Sequence, residues 1–443
     1  MNTPRDGGKF CTLGTVKHPS WQLACFIWAL GGCLYLIGFF HRVAPAAISS
    51  DLMRDLGIGA AMLGNLSALY FYSYAFMQLP TGLLADRWGP RRLLTIGALL
   101  TAVGSVLFAL APTLWLAGLG RLLIGGATAV AFVGMIKLAS HWMAPERFAL
   151  AAGMALLIGV MGALGGGIPL AALSEVYDWR WLLAAVGGAT LLLAAIIWFI
   201  VRDDPAERGY RSYASRRAGE PISLIAGLKV VAAARNSWLL SVGAGGVCGA
   251  VLTFGGLWGV PFLATHYGMS TTAASGYCSA MLLSFAVGGP LLGGLSDRLG
   301  RRKPFYFAAL SSSLPAWLAL ILLPELPPLI LLLCVVAAGF GCGGAMIITF
   351  AHARESVPSQ VSGTMSGLIN MGAVLGPMIL QPAIGWILDN ISGVWSVGGQ
   401  RMYDLEAYRV GFSLIVGWIV LALILFALSH ETYGKQSQCS NRL

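Results

Sequence analysis

The stretch Gly82-Leu83-Leu84-Ala85-Asp86-Arg87-Trp88-Gly89-Pro90-Arg91-Arg92 returns 211 residues later as Gly293-Gly294-Leu295-Ser296-Asp297-Arg298-Leu299-Gly300-Arg301-Arg302. Both copies keep one frame: a glycine, three residues, Asp-Arg, one residue, a second glycine, then basic residues. Each copy sits between long apolar runs. A repeat of this length in so apolar a chain implies two homologous membrane halves, and paired bundles around a shared midplane site are a transporter's layout.

Composition supports that reading. Of the 443 residues, 57% are hydrophobic and only 10% charged, whereas soluble domains carry roughly 25% charge. Twelve apolar spans are long enough to cross about 30 Å of hydrocarbon as helices. They lie near 22–48, 60–83, 93–111, 113–138, 147–173, 180–201, 236–263, 271–294, 304–323, 328–351, 360–388 and 408–429. The polar stretch from Arg202 to Arg235 divides them six and six. The expected organisation is an all-α membrane protein, with an N-terminal six-helix bundle (1–201), a cytoplasmic linker loop (202–235) and a C-terminal six-helix bundle (236–443). The apolar run after Met1 to Ser20 is too long for a signal peptide's core, so it reads as span 1.

Charge placement orients the spans. With both termini cytoplasmic, inner segments and their flanks hold 22 of the 28 Lys and Arg residues and outer ones hold four; Arg42 and Arg121 fall within spans. This inside excess accounts for the net charge of +10 without nucleic acid, and the basic central loop suits anionic membrane lipid. The expected location is the inner (plasma) membrane. The eight cysteines form no Cys-x-x-Cys pair and read as small core residues, so no metal site is implied. No catalytic triad or nucleotide-cradling loop appears, so the chain reads as neither an enzyme nor an ATP-driven pump, and no cofactor is implied.

The halves also match in glycine placement. Spans 5 and 11 pair Gly153 with Gly363, Gly162 with Gly372 and Gly166 with Gly376, each 210 apart. Two readings stand: close helix packing, or a bend or sliding face near the Gly-Pro steps.

These motifs resemble the major facilitator superfamily. The Gly-x-x-x-Asp-Arg-x-Gly-x-Arg-Arg frame after span 2, echoed after span 8, is similar to that family's signature, and Arg121-Leu122-Leu123-Ile124-Gly125 to its second motif. Arg42 within Phe39-Phe40-His41-Arg42-Val43-Ala44-Pro45, with Lys137 to Trp142 and Glu146-Arg147, resembles bacterial sugar-phosphate-permease and organic-anion transporters. The resemblance implies alternating access, and a monomer is expected. It also implies a conformational latch on the inner side, built from Gly82, Asp86, Arg87, Gly89, Arg91, Arg92, Asp297, Arg298, Arg301 and Arg302; the plainer reading of these arginines is topological. Span 7 departs from the organophosphate antiporters. Val251 to Pro261 carries no arginine to face Arg42, so a monocarboxylate, an amino-acid-like solute or a mixed polar one fits better than a doubly clamped phosphate.

Several side chains are candidates for the small-molecule substrate. An arginine at membrane depth is costly and usually faces a wet cavity or a partner, and its planar fork suits a carboxylate. Arg42 therefore leads, with snorkelling to outer headgroups and structural pairing as alternatives. Tyr70, Tyr74 and Gln78 share one face of span 2. Trp258 in span 7 and Asn370 and Gln381 in span 11 offer further polar groups, with helix-to-helix hydrogen bonding as the alternative. Arg121, Gly125 and Lys137 read as coupling or structural, and helical geometry points Arg121 and Lys137 in different directions. No carboxylate lies mid-span. A coupling proton would have to use another group, and His41 and His352, toward span ends, read as interfacial. The expected function is secondary transport of a small organic anion; a membrane sensor and an exporter of hydrophobic compounds are the alternatives.

Overall fold

The computed structural model describes residues 17–213, 224–323, 325–391, 395–397 and 400–433. Part of the linker, with Arg216 and Arg217, lies outside these, as do Cys11 and Cys439.

Eleven helical stretches among the described residues are long and apolar enough to cross a bilayer. Span 2 is the twelfth crossing. It is the first leg of a continuous 50-residue helical stretch, Ala60–Ala109, broken where Gly89 takes φ 76°. Its asparagine, glutamine and tyrosines make it the most polar leg. Observed helices overrun several expected ends: span 8 reaches Leu299 and span 10 reaches Glu355. A helix does not stop where hydrocarbon stops, because its backbone bonds are internal and hold equally in the headgroup zone. Three features were not expected: a short helix Ser49–Leu56 after span 1, a linker helix Leu224–Ala233, and a hairpin pairing Trp395–Val397 with Gln400–Met402.

The glycine repeat becomes a packing repeat. A methyl group on Gly162 would strike the Leu36 carbonyl, and one on Gly166 the Phe40 carbonyl. In the other half, Gly372 meets Ser241 and Gly376 meets Gly245 in the same way. Span 5 therefore rests on span 1 as span 11 rests on span 7. In lipid, where burial of apolar surface adds little, such close backbone approach carries the association.

The halves meet toward one face, called here the far face; the face bearing both signature motifs is the motif face. At the far face, Gly64 abuts the Gln381 carbonyl and Gly385 abuts that of Ala60. The N-terminus of span 2 is capped from the other half. The Asp389 carboxylate accepts the Ala60 and Ala61 N–H groups at 3.1 and 2.8 Å, and the Tyr403 hydroxyl also lies 2.9 Å from the Ala60 nitrogen. A carboxylate there satisfies orphan donors and complements the helix dipole. Thr272 bonds Glu175 across the same face at 2.7 Å. Toward the motif face, Gly82, Gly153, Gly363 and Gly367 look into open space.

Candidate functional site: a buried arginine where the halves meet

Span 1 carries Pro45 one turn after His41. Proline has no N–H, so the His41 carbonyl loses its helical donor. Arg121 of span 4 replaces it, donating from Nη1 at 2.7 Å, and reaches the Ser67 carbonyl of span 2 from Nη2 at 3.2 Å. Arg121 is fully buried and ties three helices together through backbone acceptors. Gly125, one turn on, lets span 4 press against the Tyr70 carbonyl.

Arg42 follows His41 and is only 7% exposed. Four rings frame its guanidinium: Phe39 at 4.3 Å and Tyr74 at 4.8 Å from the ring centroids, with Tyr70 and Phe71 slightly farther. Its Nε has no hydrogen-bond partner, and among the described residues no carboxylate lies within ion-pair reach. Burial among these rings sets it apart from an arginine snorkelling to headgroups. Tyr70 sits beneath it with its hydroxyl given to the Gly38 carbonyl at 3.0 Å. Tyr74 stacks on Tyr70 at 6.0 Å. Gln78, a further turn toward the motif face, is half-buried.

The C-terminal half presents a π-turn, Phe254–Trp258, in span 7. At Gly256 the backbones come close: a β-carbon there would lie 3.8 Å from the Arg42 carbonyl and 4.0 Å from the Gln381 amide nitrogen. Gln381 donates to the Leu252 carbonyl, and Trp258 donates to the Gln381 carbonyl, both at 3.1 Å. Trp258 and Gln381 thus lock spans 7 and 11 beside Arg42. The Gln381 carbonyl-type side-chain oxygen and the Thr253 hydroxyl are buried without partners. Asn370 lies three turns away along span 11 and is half-buried. Pro382 frees the Met378 carbonyl as Pro45 frees that of His41, and Tyr72 of span 2 donates to it across the halves at 3.3 Å.

The sequence reading put His41 and His352 at the interface; both are fully buried. Neither nitrogen of the His41 ring has a partner, while the His352 ring touches the Ser429 and Thr432 hydroxyls.

Both signature loops are pinned by a carboxylate three residues after the sixth span of their own half. Asp203 accepts the Arg91 N–H at 2.6 Å, and Glu431 accepts the Arg302 and Lys303 N–H groups at 3.0 and 2.8 Å. Gly89 is required twice over, by its positive φ and because a β-carbon would meet the Asp203 carboxylate. Asp86 pairs with Lys137 at 2.9 Å, so Lys137 and Arg121 do serve different places. Asp297 pairs with Arg302, which also grips Glu355. Arg87, Arg92 and Arg298 are exposed, as is Arg301. Every one of these pairs stays within its own half. Asp203, Glu355, Glu431, Asp389, Phe71 and Tyr72 escaped the sequence reading, as did the contact of Phe39 with Arg42. The equal spacing of Asp203 and Glu431 after their spans was the one available signal.

A family profile for the Major Facilitator Superfamily matches residues 27–260 and again 247–438. The chain belongs to the Major Facilitator Superfamily. Relatives within the superfamily include a putative tartrate transporter of Agrobacterium vitis, 23% identical, aligned over 83% of this chain and 85% of that one. A probable sulfoacetate transporter of Cupriavidus necator is 22% identical over 87% and 90%. The crystal structure of a bacterial homolog of the human lysosomal transporter Spinster, inward-facing and unoccupied, superposes with a TM-score of 0.75 at 19% identity, covering 93% of this chain and 97% of that one. The fold is the two-bundle, twelve-helix fold of the superfamily, and the protein is a multi-pass membrane transporter.

Proposed function

We propose that this transporter carries a small organic anion by alternating access, with Arg42 receiving the charged end. The observation that carries this is the burial of an arginine, unpaired by any carboxylate among the described residues, where spans 1, 2, 7 and 11 converge. A buried cation lacking a counter-ion is expensive, and an anionic solute would supply one with bidentate geometry. Tartrate and sulfoacetate, named for two relatives, are anions. With one guanidinium and no second cation in span 7, a single carboxylate is the recognised group. Tyr74 and Gln78, on the motif-face side of Arg42, line the approach, with the half-buried Asn370 of span 11 as a further polar group for the solute. Trp258 and Gln381, which bind spans 7 and 11 to each other, act as the floor of the site.

On this reading the motif face, rich in arginine, is cytoplasmic, with both termini there and the chain in the bacterial inner membrane. The structure then corresponds to the inward-open state. Residues 1–201 and 236–443 rock as two bodies joined by 202–235. Asp86 and its loop, held by Lys137 here, exchange partners when the inner side shuts.

Counterflow in proteoliposomes tests the proposal. Carboxylates across a panel, tartrate included, should exchange with the wild type, and Arg42→Ala should lose most of that flux while keeping its melting temperature. Ligand binding without counterflow would indicate a sensor. Undiminished flux of apolar compounds in Arg42→Ala would indicate an exporter.

A further inference from the structure

Spans 3 and 6 leave a groove of about 580 Å³ on the outside of the N-terminal half. Its walls are Ile96 and Leu99 from span 3 and Leu191, Ala194 and Ala195 from span 6, with Arg92 and Trp198 at the motif-face end. From Arg92 to Leu99, and from Trp198 back to Leu191, is seven residues, or about 10 Å of helix. The groove therefore runs from one membrane surface toward the midplane, over a length that accepts the upper part of an acyl chain.

Its rim is basic. The last carbonyls of span 6 are capped by arginines: Trp198 by Arg91 at 2.9 Å, Phe199 and Val201 by Arg202, and Ile200 by Arg208. Arg91 also lies 4.4 Å over the Trp198 ring, fixing it at the mouth. Three acids share the rim, but each is turned to another task. Asp203 holds the Arg91 N–H, Asp204 the His141 ring and the Ala206 N–H, and Glu207 the Asp204 N–H. The exposed Arg92 guanidinium has no ion-pair partner among the described residues, though Asp203 is near enough to feel its charge. We infer that the groove between spans 3 and 6 is a site for an anionic glycerophospholipid of the leaflet on the motif face, its phosphate on Arg92 and one chain along Ile96, Leu99 and Leu191.

Brominated lipids quench a tryptophan they touch. The full chain would be placed in nanodiscs containing dibromo-phosphatidylglycerol or dibromo-phosphatidylcholine at equal mole fraction. Subtracting the Trp198→Phe signal isolates the ring at the mouth. The expected result is about fivefold enrichment of the anionic lipid over the neutral one, the factor one cation near a membrane surface gives. Arg92→Gln should erase the preference while leaving quenching by the neutral lipid. Ala195→Phe, which fills the groove, should lower Trp198 quenching by both lipids. Equal quenching by both in the wild type, or a preference untouched by Arg92→Gln, would overturn the assignment and leave ordinary boundary lipid.

Discussion

Arg121 donates at 2.7 Å to the carbonyl of His41, the acceptor that Pro45 deprives of its helical N–H. The proline breaks a bond in span 1, and an arginine of span 4, which packs against span 1, repairs it. The repair sits immediately beneath Arg42, so the backbone that presents the candidate ligand-binding guanidinium is held by a second guanidinium that does not face the solute. Burying two cations this close is tolerable because Arg121 faces carbonyl dipoles and Arg42 faces ring quadrupoles.

Arg121→Met should lower stability by about 1–3 kcal/mol, the usual cost of a stranded buried acceptor. Pro45→Ala returns an N–H to His41, so Arg121→Met should cost clearly less in that background. Thermal denaturation in detergent of the four variants measures the coupling; strict additivity would contradict the repair.

Arg42→Lys keeps the charge and loses the planar fork. If a carboxylate takes both guanidinium nitrogens, removing one charge-assisted bond costs about 1.5–3 kcal/mol, so half-saturation in uptake should rise at least tenfold with little change in melting temperature.

The far-face closure depends on Asp389, which caps span 2 across the halves. Asp389→Ala strands the Ala61 N–H and leaves that of Ala60 to the Tyr403 hydroxyl alone; losing one buried partner, about 1–3 kcal/mol, should move the balance of states by about fivefold or more toward an opened far face. Spin labels at Tyr177 and Leu323, one on each half, would report a new long-distance population. An unchanged distance distribution would rule the cap out as a determinant.

Gly367 faces open space in this conformation, whereas Gly372, five residues on, is pressed against Ser241. Gly372→Leu should therefore fail to fold stably. Gly367→Trp should fold and melt normally yet lose transport, because the motif face could no longer close. Uptake and melting curves on the same preparations separate the two effects.

Glu431 lies beyond span 12. Burial alone would raise its carboxyl; the N–H groups of Lys303, Arg302 and Tyr433 and the nearby His352 outweigh this and hold it below its ordinary 4.5. A depressed carboxylate contributes stability that is complete above the unfolded value and is lost as pH falls through the folded one. The melting-temperature gap between wild type and Glu431→Gln should thus be widest near neutrality and shrink as the pH falls below 4.5.

Local chemistry alone determined the spans, the duplication and the side on which arginines gather, because crossing hydrocarbon demands runs of apolar residues and lipid charge sorts the loops whatever the packing. The signature loops were legible for the same reason: glycines, a proline and clustered charge punctuate long apolar text. What Arg42, Trp258 and Gln381 touch was not legible, since their neighbours come from helices far away in the chain, Gln381 meeting Gly64 of the other half, and depend on how two bundles meet. Nor was it visible that Pro45 and Pro382 each leave a carbonyl for a distant donor, or that Asp389 and Asp203 cap helices other than their own. Those pairings follow from three-dimensional approach, and in a membrane a freed backbone group must find its partner wherever the fold brings one near.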